Sequence, residues 1–225
     1  MTGRETDMAV RDIEITTLQL EDIIVRTHGL ADDAGPTISS RLRYLQRMGF
    51  PGEAPTGRGK RLAYGLADAL RILIVFRYLE WSLSPVRAMR TVTMNWPHLS
   101  RALAIAWRVA RTDGAMSDNA SDRRLLVVAP SALGDAGGDP TRSEEQAPET
   151  VTPMTTAAIA EWGSADGEDG DACQLLVLDP VRFVRRLARA IEVACKAYPF
   201  EVDAAFEAMG KDAFGADDPA GWRFG

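Results

Sequence analysis

The sequence contains little cysteine and little histidine. Its 225 residues include two cysteines, Cys173 and Cys195, and two histidines, His28 and His98. Two cysteines are too few for a disulfide framework, and zinc sites are usually built from closely spaced cysteine and histidine pairs. The sequence also offers no nucleophile–base pair and no paired-carboxylate motif. We therefore expect a protein that is not an enzyme, with no catalytic residues, no metal and no cofactor.

Long apolar runs are also missing. The most apolar segment, LADALRILIVFRYLEW, is interrupted by Asp68, Arg71 and Arg77, and a membrane span needs roughly 20 apolar residues. The first residues, MTGRETDMAVRDIE, lack the charged-then-apolar plan of a signal peptide. These features predict a cytoplasmic protein without membrane contact, associated with the nucleoid if its source is bacterial.

Acidic residues are scarce in one block of the chain. Residues Pro36 to Arg111 contain 13 Lys and Arg against three acids, whereas the segments before and after carry net charges of −5 and −11 within a total of −6. A basic block in an acidic chain predicts a polyanion-binding module beside a separate acidic region, with an ordinary solvated surface as the alternative. Arginine dominates the block, which favours bidentate contacts with phosphate or guanine.

Hydrophobic spacing predicts two short helices at the start of this region. The first runs from Leu18 to Thr27, and the second begins near Thr37 and ends before Gly49, which is a suitable C-cap. The second helix buries one stripe, formed by Ile38, Leu42 and Leu45. Two helices separated by a turn fit a helix-turn-helix, although the loop is longer than the usual three or four residues.

Three more helices are predicted before residue 112. An apolar helix spans Gly65 to Trp81, a short helix starts at Ser84-Pro85, and another starts at Asn95. The last carries an apolar seam of Leu99, Leu103, Ala106, Trp107 and Ala110. Such a seam packs inside its own domain or forms an antiparallel coiled coil between two subunits.

The remaining residues predict a small C-terminal element behind a linker. RLLVVA and QLLVLD are expected to pair as neighbouring strands, with a helix from Asp179-Pro180 packed on them. The intervening residues have a linker-like composition, although TTAAIAEW can form a brief ordered element. The helix carries an arginine stripe, for which we favour a solvated helix face, with binding to an acidic surface as the alternative. Its members are Arg182, Arg185, Arg186 and Arg189.

The segment GEAPTGRGKRLAYG, residues 52–65, combines glycines with cations. It is not a phosphate-binding P-loop, because Arg58 stands where lysine belongs and Gly59 stands where a hydroxyl residue belongs. A hairpin fits better, since TGRG supplies glycines for a tight turn and KRLAY alternates polar with apolar residues. The segment is then a two-stranded wing, with Arg58 at its tip and Lys60 and Arg61 along its rim, positioned to contact backbone phosphates.

The order of these parts resembles the DNA-binding domain of MerR-type transcription regulators. ISSRLRYLQRMGFP resembles their recognition-helix motif through Arg41, Leu42, Arg43, Tyr44, Gly49 and Phe50. Leu45 and Gln46 replace a second aromatic and an acid of that motif. RLAY and the later WSLSP resemble the end of the family's wing and the turn before its next helix. The resemblance covers Leu18 to Val92 and extends to no effector-binding domain.

The resemblance implies a winged helix-turn-helix that places its recognition helix in the major groove and its wing on flanking phosphates. It also implies a homodimer on a near-palindromic site. The predicted DNA-binding residues are Ser40, Arg41, Arg43, Tyr44, Arg47, Arg58, Lys60, Arg61 and Tyr64. The predicted fold class is mainly α with small β elements, an N-terminal winged helix-turn-helix and a small α/β C-terminal region.

The predicted units follow from these assignments. They are a MerR-like domain with extra helices (15–112), a connector with a short strand (113–130), an acidic linker (131–171), a strand–helix element (172–209) and a tail (210–225). We expect a sequence-specific transcription regulator that binds duplex DNA as a dimer. The alternative is an adaptor or anti-repressor that keeps the winged helix as a scaffold and binds a protein partner through its acidic C-terminal half.

Overall fold

The computed structural model describes residues 13–52, 62–111, 124–128, 151–164 and 176–214. Within these ranges the chain is mainly helical with short antiparallel strands, which confirms the coarse fold class predicted from the sequence. The elements are β1 (Ile15–Thr16), α1 (Thr17–His28), a 3-10 turn (Asp32–Ala34), α2 (Gly35–Arg47), β2 (Ala63–Tyr64), α3 (Leu66–Glu80), α4 (Pro85–Arg111), β3 (Arg124–Val128), β4 (Val151–Thr155), α5 (Thr156–Ser164), β5 (Leu176–Leu178), α6 (Pro180–Cys195) and α7 (Pro199–Phe214).

The first helix has a capped start and a glycine end. The Thr16 hydroxyl accepts from the Gln19 backbone N–H, and the Gln19 side chain accepts from the Thr16 backbone N–H, forming a capping box. Gly29 ends α1 with φ of 66°, a conformation that favours glycine. The 3-10 turn then leads directly into α2. Both predicted helices are present, and the connecting turn explains why their spacing exceeds that of a simple helix-turn-helix.

Helix α3 is the most enclosed helix of the N-terminal part. Eight of its residues, Ala69, Leu70, Ile72, Leu73, Ile74, Val75, Phe76 and Tyr78, are at most 2% exposed. Neighbouring helices therefore surround it rather than covering one stripe. The buried residues of α1 to α4 form one continuous cluster with those of α6 and α7. The N-terminal helices are thus stabilised partly by packing against the C-terminal ones.

Helix α4 is one continuous helix of 27 residues with Pro97 inside it. The prediction of two helices, starting at Ser84-Pro85 and at Asn95, was wrong. Proline lacks the N–H that would bond one turn back and commonly kinks or ends a helix. Here buried residues flank the proline on both sides, with Val92 and Leu99 fully buried. Tertiary packing keeps the two halves in one helix despite the lost hydrogen bond.

The apolar seam of α4 is covered within the same chain. Leu99, Leu103 and Ala106 are fully buried, and α6 and α7 both pack on α4. The Trp107 ring stacks on Phe206 of α7 with centroids 4.4 Å apart. Of the two interpretations that the sequence left open, the structure supports packing inside the domain.

The small sheet has the order β4-β3-β5, and all its pairs are antiparallel. Pairing of β3 with β5 confirms the predicted neighbouring strands. Strand β4 and helix α5 lie within the predicted linker 131–171, where only TTAAIAEW had suggested order. The buried Asn95 side chain of α4 accepts from the Val151 N–H at 3.3 Å and so fixes the start of β4.

The C-terminal helices depart from the prediction in two ways. Helix α6 packs chiefly on α1 and α4, whereas the sequence predicted that it packs on the strands. Its buried stripe, Phe183, Val184, Leu187, Ala188 and Ile191, is wide enough to fill the groove between two helices. Helix α7 extends to Phe214, past residue 210, where the sequence predicted the start of a loose tail.

An ion pair joins the ends of α1 and α3. The Nδ1 atom of His28 lies 2.7 Å from Oε1 of Glu80, and the His28 side chain is fully buried. Arg77 reaches the other oxygen of Glu80 at 2.6 Å. Partial burial disfavours the charged carboxylate, but the hydrogen bond from His28 and the positive charges of His28 and Arg77 outweigh it and lower the pKa of Glu80. Ionised Glu80 therefore stabilises the junction between the two helices.

We expect Glu80→Gln to lower the free energy of unfolding at neutral pH by about 1 kcal/mol, the scale of a partly exposed hydrogen bond to a charged group. Because the folded pKa of Glu80 is depressed, its contribution is complete above the unfolded value of 4.5 and disappears as pH falls through the folded value. Urea unfolding of both proteins from pH 7 to pH 3 should show the difference shrinking below about pH 4.5. A difference that stays constant across this range would contradict the assignment.

Candidate nucleic-acid interface

Helix α2 forms because its apolar residues recur with helical spacing and its end is chemically defined. Ile38, Leu42 and Leu45 are at most 2% exposed. At the C-terminal end Gly49 has φ of 75°, its N–H donates to the Gln46 carbonyl, and the Phe50 N–H donates to the Leu45 carbonyl, each at 3.0 Å. This pair of bonds is a Schellman motif, with Phe50 buried beside it.

The polar residues of α2 lie away from this buried stripe. The side chains of Ser40, Arg41, Arg43 and Arg47 are exposed, and that of Tyr44 is half-buried. The Arg47 guanidinium lies 6.0 Å from the centre of the Tyr44 ring, at the outer limit of a cation–π contact. Arg41 and Arg43 make no hydrogen bond or ion pair with another described residue. The structure thus brings five of the nine predicted DNA-binding residues onto one exposed helix.

Two polar contacts fix the orientation of α2. The Ser39 hydroxyl donates to the Glu21 carboxylate of α1 at 2.7 Å. Near the other end, the Gln46 amide donates to the Tyr64 hydroxyl of β2. One contact ties the helix to α1 and the other ties it to the two-stranded ribbon. The exposed arginines therefore belong to a helix held along its whole length.

The ribbon consists of β1 and β2, with Ile15 opposite Tyr64 and Thr16 opposite Ala63. The sequence predicted residues 62–64 as part of the second wing strand but did not predict β1 as a partner for it. Arg58, Lys60 and Arg61 lie outside the described residues, as does the predicted hairpin turn. The structure describes the chain up to Gly52, five residues after the end of α2, and again from Leu62, just before β2.

Tyr64 differs from the other predicted contact residues, because it is only 4% exposed. Burial raises the pKa of its phenol, although the hydrogen bond from Gln46 acts in the opposite direction. A buried, protonated tyrosine that accepts a bond from α2 positions the helix and does not present its ring to a ligand. We therefore remove Tyr64 from the direct contacts predicted from the sequence and assign it a positioning role.

The arginine stripe of α6 is partly engaged within the chain. Arg185 donates to the Ala110 carbonyl at 3.2 Å, and Arg182 pairs with Asp179 at 3.4 Å. Arg186 and Arg189 are exposed. This pattern agrees with a solvated helix face. Arg186 and Arg189 are also comparable in exposure to the arginines of α2, so they can serve as a comparison for them.

A groove of about 530 Å³ lies between the start of α3, the middle of α4 and the second half of α7. Its walls are largely apolar, and its charged members are Arg71 and Asp212. Arg71 stacks over the Trp96 ring at 4.5 Å and pairs with Asp68 at 3.3 Å. The buried Ser100 hydroxyl donates to the Pro97 carbonyl. Arg71 is thus already engaged in holding α3 against α4 through its contact with Trp96, and the Ser100 hydroxyl is satisfied within α4.

The described residues contain no group of histidine, cysteine, aspartate and glutamate side chains arranged to hold a metal ion. Across the same residues, no helix combines the length and the apolarity that a membrane span requires.

Removing the Tyr64 hydroxyl should loosen the end of α2. We expect Tyr64→Phe to reduce the free energy of unfolding by about 0.5–1.5 kcal/mol, the usual worth of one hydrogen bond. Tyr44→Phe removes the same atom from a half-buried ring with no such bond described, and we expect almost no change. Denaturant unfolding measures both. An equal decrease in the free energy of unfolding in the two variants would show that the hydrogen bond to Gln46 does not contribute to stability.

Comparison with known proteins adds no assignment to these observations. No protein-family model matches the chain, and no curated protein matches it at a significant level.

Proposed function

We propose that this protein is a DNA-binding transcription regulator that inserts α2 into the major groove of duplex DNA. The observation that carries the proposal is the exposed face of α2, where Ser40, Arg41, Arg43 and Arg47 project from a helix anchored by Glu21 and Tyr64. The major groove accepts one α-helix, and arginine recognises guanine by donating two hydrogen bonds. The residue types and the shape of this face both suit that use.

The arginines of α2 are assigned different roles by their positions. Ser40, Arg43 and Arg47 follow one another at intervals of three and four residues, so they share one face of the helix. We assign this row to base edges and the phosphates beside them. Arg41 lies about 100° around the helix from Ser40, and Tyr44 shares the face of the row but is half-buried. We assign both to the backbone, where contacts set the register of the helix without reading sequence.

The segment between α2 and β2 extends this surface in the proposal. Arg58, Lys60 and Arg61 would then contact phosphates beside the groove, as in the winged helix-turn-helix that the MerR-type resemblance implies. The pairing of β2 with β1, directly before α1, supports the idea, because it places the base of the segment next to both helices. The proposed working unit is a homodimer on a near-palindromic site.

The second candidate is an adaptor that binds a basic protein. It is favoured by the net charge of −11 after residue 111. Several described acids of this half are engaged within the chain, since Asp203 and Glu207 pair with Arg111 and Asp179 caps α6. Binding of DNA at low ionic strength separates the two candidates, because the adaptor has no need of it.

Changing Arg41 and Arg43 together to glutamine should weaken binding to every duplex and flatten its salt dependence. Each phosphate contact contributes about 0.9 to the magnitude of the slope of log K against log salt. The slope should therefore decrease in magnitude by about 2 if both arginines contact phosphate, and by less if Arg43 contacts a base. The slope is obtained from binding constants measured by fluorescence anisotropy with a labelled duplex at several salt concentrations.

The matched control is Arg186→Gln with Arg189→Gln, which removes the same charge from the exposed face of α6. We expect the control to bind as the unchanged chain does. Equal weakening in both double variants would attribute the effect to net charge. A full chain that binds no duplex at low salt would overturn the DNA-binding proposal and leave the adaptor.

Arg43→Ala should reduce discrimination between DNA sequences more than it reduces general affinity. The expected loss is about 1–3 kcal/mol if Arg43 makes a bidentate contact with a base. Preferred sites are first selected from a random duplex library with the full chain, and the affinity of the variant is then compared on selected and random DNA. Losses of the same size on both would reduce Arg43 to a phosphate contact.

A further inference from the structure

Large hydrophobic side chains are exposed where the start of α1 meets the end of α6. Leu18 is 78% exposed, Val193 56%, Tyr198 65% and Phe200 50%. The Gln19 side chain, next to Leu18, donates to the Ala194 carbonyl, next to Val193, at 3.4 Å. The rings of Tyr198 and Phe200 stack with centroids 5.6 Å apart. We call these four residues the aromatic patch.

The aromatic patch is held in place by the turn between α6 and α7. Lys196 ends α6 in the left-handed conformation, with φ of 53°. The Tyr198 N–H then donates to the Glu201 carboxylate at 2.8 Å, which fixes the start of α7. The two rings are thus presented by a defined backbone, so little conformational entropy remains to be lost when they are covered.

We propose that the aromatic patch is the surface on which a second copy of this chain docks. An exposed apolar patch of a few hundred Å² is often a functional surface. From the exposed fractions, the four side chains present on the order of 400–500 Å² of apolar surface, about half of the roughly 800 Å² that each partner buries in a stable interface. Polar residues around the patch would supply the remainder.

The charges beside the patch favour a copy of the chain over a strongly charged partner. Glu192 and Glu201 stand near Lys196 in the sequence, and Asp22, one turn after Leu18, pairs with Arg26 at 2.9 Å. A rim of both signs is self-complementary under two-fold symmetry, because a cation of one copy can face an anion of the other. A partner carrying charge of one sign would meet repulsion at part of this rim.

The alternative dimer surface considered from the sequence is closed. The seam of α4 is covered by α6 and α7, with Leu99, Leu103 and Ala106 fully buried. Three of the four patch residues belong to the end of α6, the turn after it and the start of α7, whereas the proposed DNA-binding residues of the described chain lie on α2, which packs on α1.

The inference rests on the proposed function, because a dimer is needed to bind both halves of a near-palindromic site. Its test, however, requires no DNA. The mass of the full chain is measured by sedimentation equilibrium over a range of micromolar concentrations. We expect a dimer for the unchanged chain. Tyr198→Ser with Phe200→Ser should weaken dimerisation by about tenfold or more, as truncation of central aromatic side chains does at interfaces.

The matched control is Val86→Ser with Met94→Ser, which removes two exposed hydrophobic side chains from α4 and should leave the dimer intact. Circular dichroism checks that each variant is folded. If the double serine variant does not fold, the measurement is repeated with Val193→Arg. This substitution at an exposed helical position would place like charges close together across a two-fold axis and so weaken the dimer. Val86→Arg is the control for this variant.

The outcomes separate this inference from the DNA-binding proposal. A patch variant that becomes monomeric while still binding duplex DNA weakly at low salt supports both. A full chain that is monomeric without DNA, or patch variants that dimerise as well as their controls, would overturn the patch as a dimer surface, whatever the DNA measurement shows. Failure to bind DNA by a chain that is dimeric through the patch would overturn only the DNA-binding proposal.

Discussion

The covering of α4 by α6 and α7 is the interaction on which the rest of the structure depends. Helix α4 is buried along most of its length, and the Trp107–Phe206 stack and the ion pairs of Arg111 fasten α7 to its second half. Helix α6 packs on α4 and α1 together, and α1 in turn holds α2 through Glu21. The position of the arginine-bearing helix is therefore determined partly by residues more than a hundred positions later in the chain.

The distribution of ion pairs separates structural arginines from those available to a ligand. Arg26, Arg77, Arg111 and Arg182 each lie within 3.4 Å of a carboxylate of the chain. Arg41 and Arg43 on α2 have no such partner among the described residues. An exposed cation without a carboxylate partner needs no intramolecular bond broken before it meets a phosphate. The proposed interface thus uses arginines whose removal should affect stability little.

The sequence predicted most of what depends on local periodicity and little of what depends on distant contacts. Helices α1, α2 and α3 and the pairing of β3 with β5 followed from apolar spacing. The break predicted within α4 failed because burial on both sides of Pro97 outweighed the local effect of proline. Strand β1 has two residues and shows no alternation of its own, so only its pairing with β2 reveals it. On the candidate surface, side-chain spacing correctly predicted that Arg43 and Arg47 lie away from the buried stripe of α2, but burial of Tyr64 depends on the ribbon and on Gln46.

A single recognition helix has limited capacity to select a site, and this is the physical reason why the dimer surface matters. One bidentate contact discriminates by about 1–3 kcal/mol, and the row of α2 that we propose to face the bases contains two arginines and one serine. Linking two such helices makes the second binding event intramolecular, and avidity can then exceed the single-site affinity by about 10²–10⁴. In this chain the seam of α4 that could have formed a coiled coil is covered by α6 and α7, and the surface that we propose for a second copy lies at the α6–α7 turn. If both proposals hold, selectivity for DNA depends on Tyr198 and Phe200 as much as on the arginines that would touch the bases.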